Sequence, residues 1–115
     1  MAAADGLEQQ VILEVWTNGA VNPQDAIAAA AAGAEAFPLV GAKLRCGGVT
    51  PDAFPSCERV ATVIATCARL ALPLKATAGL HHPVRHRAQE PDVMMHGFLN
   101  VFGAGLLAAE LANSD

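Results

Sequence analysis

Three short apolar runs are separated by two segments that carry helix start and stop signals, and this alternation constrains the chain more than any other feature. VILEVW at 11–16, LVGAKLRC at 39–46 and LPLKATAG at 72–79 have strand length. Between the first two, Thr17-Asn18-Gly19 forms a turn and Asn22-Pro23 opens a helix, with Asn22 as N-cap and Pro23 at the first helical position. That helix runs to about Ala32, where Gly33 offers a left-handed C-cap. The second strand extends over Phe37–Cys46 and breaks at Gly47-Gly48. Ser56 caps a second helix, and Val60, Val63, Ile64, Cys67 and Leu70 fall on one helical face before Pro73 stops it. Strand, helix, strand, helix, strand is a βα repeat. Short links then require parallel strands and right-handed crossovers.

The remainder continues the pattern. A loop rich in His, Arg and Pro covers about residues 80–93, and His96–Ala112 reads as a helix interrupted by Gly103 and Gly105. Residues 1–10 are a polar lead-in, and the whole of 1–115 is one domain. Two closures fit: a small open sheet with helices on both faces, or about three-eighths of a TIM (β/α)8 barrel, which needs roughly 200–250 residues. The expected fold class is α/β, three parallel βα units, taken as a partial barrel. Open strand edges would then pair with another copy or with a partner subunit that completes the barrel.

Charge narrows the ligand. The net charge is −4, which disfavours nucleic acid. All seven Lys and Arg lie between Lys43 and Arg87, a segment of net +5 between flanks of −5 and −4. A local cationic site suits a small anion. No signal peptide or apolar membrane span is expected, so no membrane partner is. Three cysteines without a Cys-x-x-Cys pair read as reduced core residues in a cytoplasm.

In both open and barrel α/β sheets, ligands bind at the carboxyl ends of the strands. Side chains alternate along a strand, so Glu14 and Trp16 share one face of the first, Lys43 and Arg45 one face of the second, and Lys75 and Thr77 one face of the third. The opposite faces are apolar. If these pack on the helices, Glu14, Lys43, Arg45 and Lys75 converge. Neighbouring cations and burial lower a lysine pKa, and a neutral amine attacks a carbonyl to form a Schiff base. The same residues also satisfy a salt-bridged network in which nothing reacts. Gly47 and Gly48 let backbone N–H groups approach a phosphate, although such a pair is also an ordinary turn. His81, His82, Arg85 and His86 follow the third strand. The three histidines serve as acid–base groups or anion contacts, as a solvated loop, or, with His96 or Glu14, as ligands of a metal-dependent hydrolase-like site, from which Arg85 and Arg87 would repel a cation.

The segments AKLRCGGVTPDAFPS, LPLKATAGLHHPVRH and MHGFLNVF, across residues 37–102, resemble a group of uncharacterised bacterial proteins associated with the C-terminal part of an aldolase-type (β/α)8 barrel. More loosely, the strands resemble those of deoxyribose-phosphate aldolase. That likeness implies an acid at Glu14, a Schiff-base lysine at Lys43 and a second lysine at Lys75 within Lys75-Ala76-Thr77-Ala78-Gly79. Arg45 stands where the likeness would place a small hydroxyl residue, and Leu80-His81-His82-Pro83 replaces its phosphate-binding continuation.

The sequence thus points to a cytoplasmic oligomer that binds, and as a lyase transforms, a small anionic carbonyl or phosphorylated metabolite without a cofactor. Lys43 or Lys75 is the expected nucleophile, Glu14 a proton relay, and His81 or His82 the acid–base. Arg45, Gly47, Gly48, Thr77 and Arg85 are the expected substrate contacts. A non-catalytic partial-barrel subunit is the alternative from another class.

Overall fold

The computed structural model describes residues 12–16, 22–33, 39–89 and 91–113, and for 12–16 and 39 it describes the backbone alone. The elements in chain order are β1 (Ile12–Trp16), α1 (Pro23–Ala32), β2 (Leu39–Arg45), a 3-10 turn (Pro51–Ala53), α2 (Cys57–Arg69), β3 (Leu74–Thr77), β4 (His86–Gln89), β5 (Asp92–Met95) and α3 (Phe98–Asn113). The lead-in 1–10, the turn at 17–19 and the Phe37-Pro38 start of the second strand lie outside the described residues.

β1, β2 and β3 form one sheet in that order, parallel at both junctions, with Glu14 in register with Gly41 and Lys43 with Lys75. Val40, Ala42, Leu44 and Cys46 of β2 and its exit are buried, while Lys43 is half-buried and Arg45 exposed. The alternation follows from the pleat, which sends successive side chains to opposite faces. Helices cover the apolar face. Ile27 and Ala30 of α1, Val60, Val63, Ile64 and Cys67 of α2, and Val101 of α3 complete the core, with Leu74 and Ala76 of β3 packed against it.

Both helix starts follow from their caps. Asn22 Oδ1 accepts from the Gln24 amide at 2.8 Å, and Ser56 Oγ accepts from the Arg59 amide at 3.1 Å. The ends differ from expectation. Gly33 ends α1 in right-handed geometry at φ −84°. α2 ends in a Schellman motif, in which the Leu72 amide donates to Cys67 O at 2.9 Å and the Ala71 amide to Ala68 O at 3.2 Å. Ala71 takes the left-handed position at φ 54°, so the helix stops before Pro73.

The expected three βα units and partial TIM barrel are not what forms. The two crossovers are β1–α1–β2 and β2–α2–β3, and a separate antiparallel pair, β4–β5, intervenes before α3. The segment expected as a loop over 80–93 therefore contains strand. His86 and Ala88 are half-buried while Arg87 and Gln89 are exposed, a period of two that the density of His and Arg obscures. Arg87 Nη1 pairs across the hairpin with Asp92 Oδ1 at 2.7 Å, an exposed contact of little energetic weight. After the hairpin, α3 packs on α2 and starts where the Phe98 and Leu99 amides donate to His82 O and Pro83 O, each at 2.9 Å. Those two bonds satisfy N–H groups that a helix start leaves unpaired. Among the described residues α3 leads to no fourth parallel strand, so nothing curls the sheet toward closure. No helix among them is long and apolar enough to cross a membrane.

Candidate functional site

The carboxyl ends of β2 and β3 are pressed together. The Cys46 amide donates to Thr77 O at 2.7 Å. Beyond it, Ala78 and Gly79 both adopt left-handed geometry, at φ 62° and 69°. A Cβ on Gly79 would sit 2.5 Å from Cys46 O, and one on Gly47 would sit 2.8 Å from the Gly79 Cα. Only glycine admits this approach. Beyond this contact the chain after β2 continues as the loop that carries the site.

That loop and the start of α2 border an open cleft of about 540 Å³, lined among others by Arg45, Gly48, Thr50, Asp52, Ser56 and Arg59. Arg45 projects from the last position of β2, where its Nε donates to Gly47 O at 2.8 Å and fixes the guanidinium over the loop. Arg59 occupies the first turn of α2. Ser56 caps the same turn, and its helix presents the positive end of the macrodipole to the cavity. Thr50 Oγ1 donates to Asp52 Oδ1, which ties the 3-10 turn to the loop. The arrangement offers two guanidinium groups, a hydroxyl and a helix start to one ligand, with the carboxylate of Asp52 beside them. Planar guanidinium forks match carboxylate and phosphate oxygens.

The floor of this cavity is held from the far end of the chain. His96 is buried, and its Nε2 donates to Pro55 O at 2.6 Å, which places the proton on Nε2. Gly97 packs directly on Pro83 and Val84. The β5–α3 junction thus braces the residues that precede Ser56.

The expected site residues divide. Arg45 and Gly48 line the cavity, while Gly47 is buried and outside its lining. Lys43 and Lys75 are register neighbours on the sheet face opposite the helices, and Thr77 neighbours Arg45 there; these three lie outside the cavity lining. Glu14 is placed by register alone, beside Gly41. His81 and His82 are exposed and do not reach the cavity. His82 instead meets His86 edge to face with ring centroids 4.3 Å apart, and His86 Nδ1 lies 3.1 Å from Val84 O. Arg85 lines a different groove with Cys57 and His96, and its amide donates to Asn100 Oδ1 at 2.7 Å. His96 is engaged at Pro55. Among the described residues no three His, Cys, Asp or Glu side chains come together to hold a metal.

Arg59, Ser56, Thr50 and Asp52 were not expected as site residues. Ser56 is legible as a cap, which hides its place in the cavity lining. Arg59 carried a signal, since it holds the position where a capping box places Glu or Gln. A cation there opposes the helix dipole unless an anion joins it.

Fold and site together define a small α/β protein with a cationic cleft at the strand ends. Comparison with family models, with curated proteins and with solved structures finds no match for the chain.

Proposed function

We propose that the chain binds a small phosphorylated or carboxylated metabolite in the cleft between the end of β2 and the start of α2. One observation carries this reading: Arg45 and Arg59 line the same cavity as the N-terminus of α2. In this account the two guanidinium groups grip the anion, Ser56 and the Gly48 loop contact its remaining oxygens, and Asp52 keeps the empty cleft from accumulating positive charge. The cleft is open to solvent, so its contacts weaken with salt. Cys46, Cys57 and Cys67 are free thiols, which suits a reducing cytoplasm.

Carbonyl chemistry at Lys43 or Lys75 is a second reading, favoured by their adjacent register on one sheet face. The amine nitrogen would attack the carbonyl carbon and water would leave, giving an imine.

Titration calorimetry tests the first reading, with inorganic phosphate, a triose phosphate and a short 2-oxo acid as ligands. At least one should saturate, and Arg59→Ala should weaken it about 10-fold or more, as loss of a charge-assisted contact does. No saturation by about 10 mM, or equal binding by Arg45→Ala and Arg59→Ala, overturns it. Borohydride trapping with the same carbonyl compounds addresses the second reading. A reduced adduct should map to Lys43 or Lys75, and no adduct at either removes it.

A further inference from the structure

We propose that the groove between α2 and α3 is a binding site for a medium-chain 2-hydroxy acid, separate from the anion cleft. The groove measures about 290 Å³, close to the smallest volumes that hold a small ligand. Val60, Ala61 and Ile64 supply one wall from α2, and Val101 and Ala104 the other from α3. The linings of the groove and of the cleft share no residue.

The polar residues of the groove gather at one end. Cys57 opens α2, Asn100 lies in the first turn of α3, and His96 just precedes that helix. Two hydrogen bonds bring these points together. His96 Nε2 donates to the carbonyl of Pro55, just before Cys57, and the Arg85 amide donates to Asn100 Oδ1 at 2.7 Å. Ile64 lies about 10 Å further along the α2 axis from Cys57. The groove is therefore polar at the helix starts and apolar beyond them.

The occupant follows from what that polar end lacks. His96 is 4% exposed and lines the groove. With its proton on Nε2, its Nδ1 is a bare acceptor, and no described residue donates to it. A buried acceptor in that state is costly, and a ligand hydroxyl supplies the missing donor. Arg85 also lines the groove, and no carboxylate among the described residues pairs with its guanidinium. A ligand carboxylate matches that fork. Asn100 Nδ2 is a further donor, because its Oδ1 is engaged. The apolar walls take a hydrocarbon chain. Hydroxyl and carboxylate are needed at the same end, and a 2-hydroxy acid carries them on adjacent carbons.

Cys57 supplies the readout, since it lines the groove as an exposed thiol while Cys46 and Cys67 are buried. Alkylation of the full chain by iodoacetamide, followed by mass spectrometry, reports occupancy as protection of Cys57. 2-Hydroxyoctanoate should protect with a dissociation constant below about 1 mM. Octanoate, which lacks the donor for His96, should bind at least about 5-fold more weakly. Octane-1,2-diol, which lacks the carboxylate, should bind at least about 10-fold more weakly. Lactate keeps both polar groups without the chain and should give no protection at about 10 mM, which separates the groove from a cleft that takes small anions. Arg85→Gln should reduce 2-hydroxyoctanoate to the affinity of the diol and leave the diol unchanged. Ala104→Phe, which fills the groove, should abolish protection while keeping the far-UV circular dichroism of the wild type. No protection of the wild type by 2-hydroxyoctanoate at about 10 mM overturns the proposal. So does equal protection by octanoate, or an Arg85→Gln protein that binds the hydroxy acid as the wild type does. Neither Arg85 nor Ala104 borders the cleft, so a cleft that fails to bind phosphate leaves this test unaffected.

Discussion

Replacing Gly79 with alanine should destabilise the protein strongly, and the cost can be built from the geometry. Gly79 sits at φ 69°, and an alanine there loses about 1–2 kcal/mol relative to glycine because its Cβ crowds the following carbonyl. The new Cβ would also lie 2.5 Å from Cys46 O and 3.0 Å from the Gly47 Cα. Both are backbone atoms, so no side chain can swing aside. Relief requires the ends of β2 and β3 to part, which stretches the 2.7 Å bond from the Cys46 amide to Thr77 O. Losing that buried bond costs about another 1–2 kcal/mol. The sum is about 2–4 kcal/mol, or a fall in melting temperature of roughly 10–15 °C for a domain of this size. Gly33→Ala is the matched control. Gly33 has φ −84° and open space around a Cβ, so alanine there should be neutral or stabilise by about 0.4–1 kcal/mol. Thermal unfolding by circular dichroism reads both. If Gly79→Ala melts within about 2 °C of the wild type, the strand ends do not meet as described and the cleft loses its frame.

Ala71 holds a left-handed position that glycine would occupy without strain, so Ala71→Gly should be neutral or stabilise by up to about 1 kcal/mol; a clear loss of chemical-denaturation stability would contradict the Schellman end of α2. Ser56→Ala removes the α2 cap and should cost about 1 kcal/mol in the same assay while weakening anion binding. His96→Phe leaves Pro55 O without its donor and should cost about 1–3 kcal/mol, with looser ligand binding because residues 54–56 line the cleft. Burial pushes the thiols of Cys46 and Cys67 up to about 11. The unfolded chain ionises them first, so the stability they contribute is complete below about pH 8.5 and is lost as pH rises toward 11. Urea melts across that range should show the decline, and Cys46→Ala/Cys67→Ala should flatten it.

Much of the architecture is legible in local chemistry. Asn22-Pro23 and Ser56 start helices because their side chains satisfy the first free amides, and this needs no tertiary context. Alternation in LVGAKLRC separates Ala42, Leu44 and Cys46 from Lys43 and Arg45 for a reason equally local, the pleat of a strand. The order strand, helix, strand, helix, strand then leaves parallel pairing as the simple solution for the first three strands.

The path of the chain after β3 was not legible, because it depends on contacts distant in sequence. HRAQ and DVMM are weak strands alone and become strands by pairing with each other. A third βα unit fails because the chain after Thr77 turns through Ala78 and Gly79 and ties His82 and Pro83 to the start of α3. The site divides along the same line. Arg45 is readable as a cation at a strand end, but strand direction does not tell that Arg59 shares its cavity while Lys43 and Lys75 stay on the sheet face. His96 looked like a member of a histidine cluster, yet it bonds to Pro55, 41 residues away. Sequence alone therefore determined the helices, the three parallel strands and which face of β2 is apolar, since those are properties of neighbouring residues. Tertiary structure decided which cations meet, because that depends on how two strand ends and a helix start are packed in space.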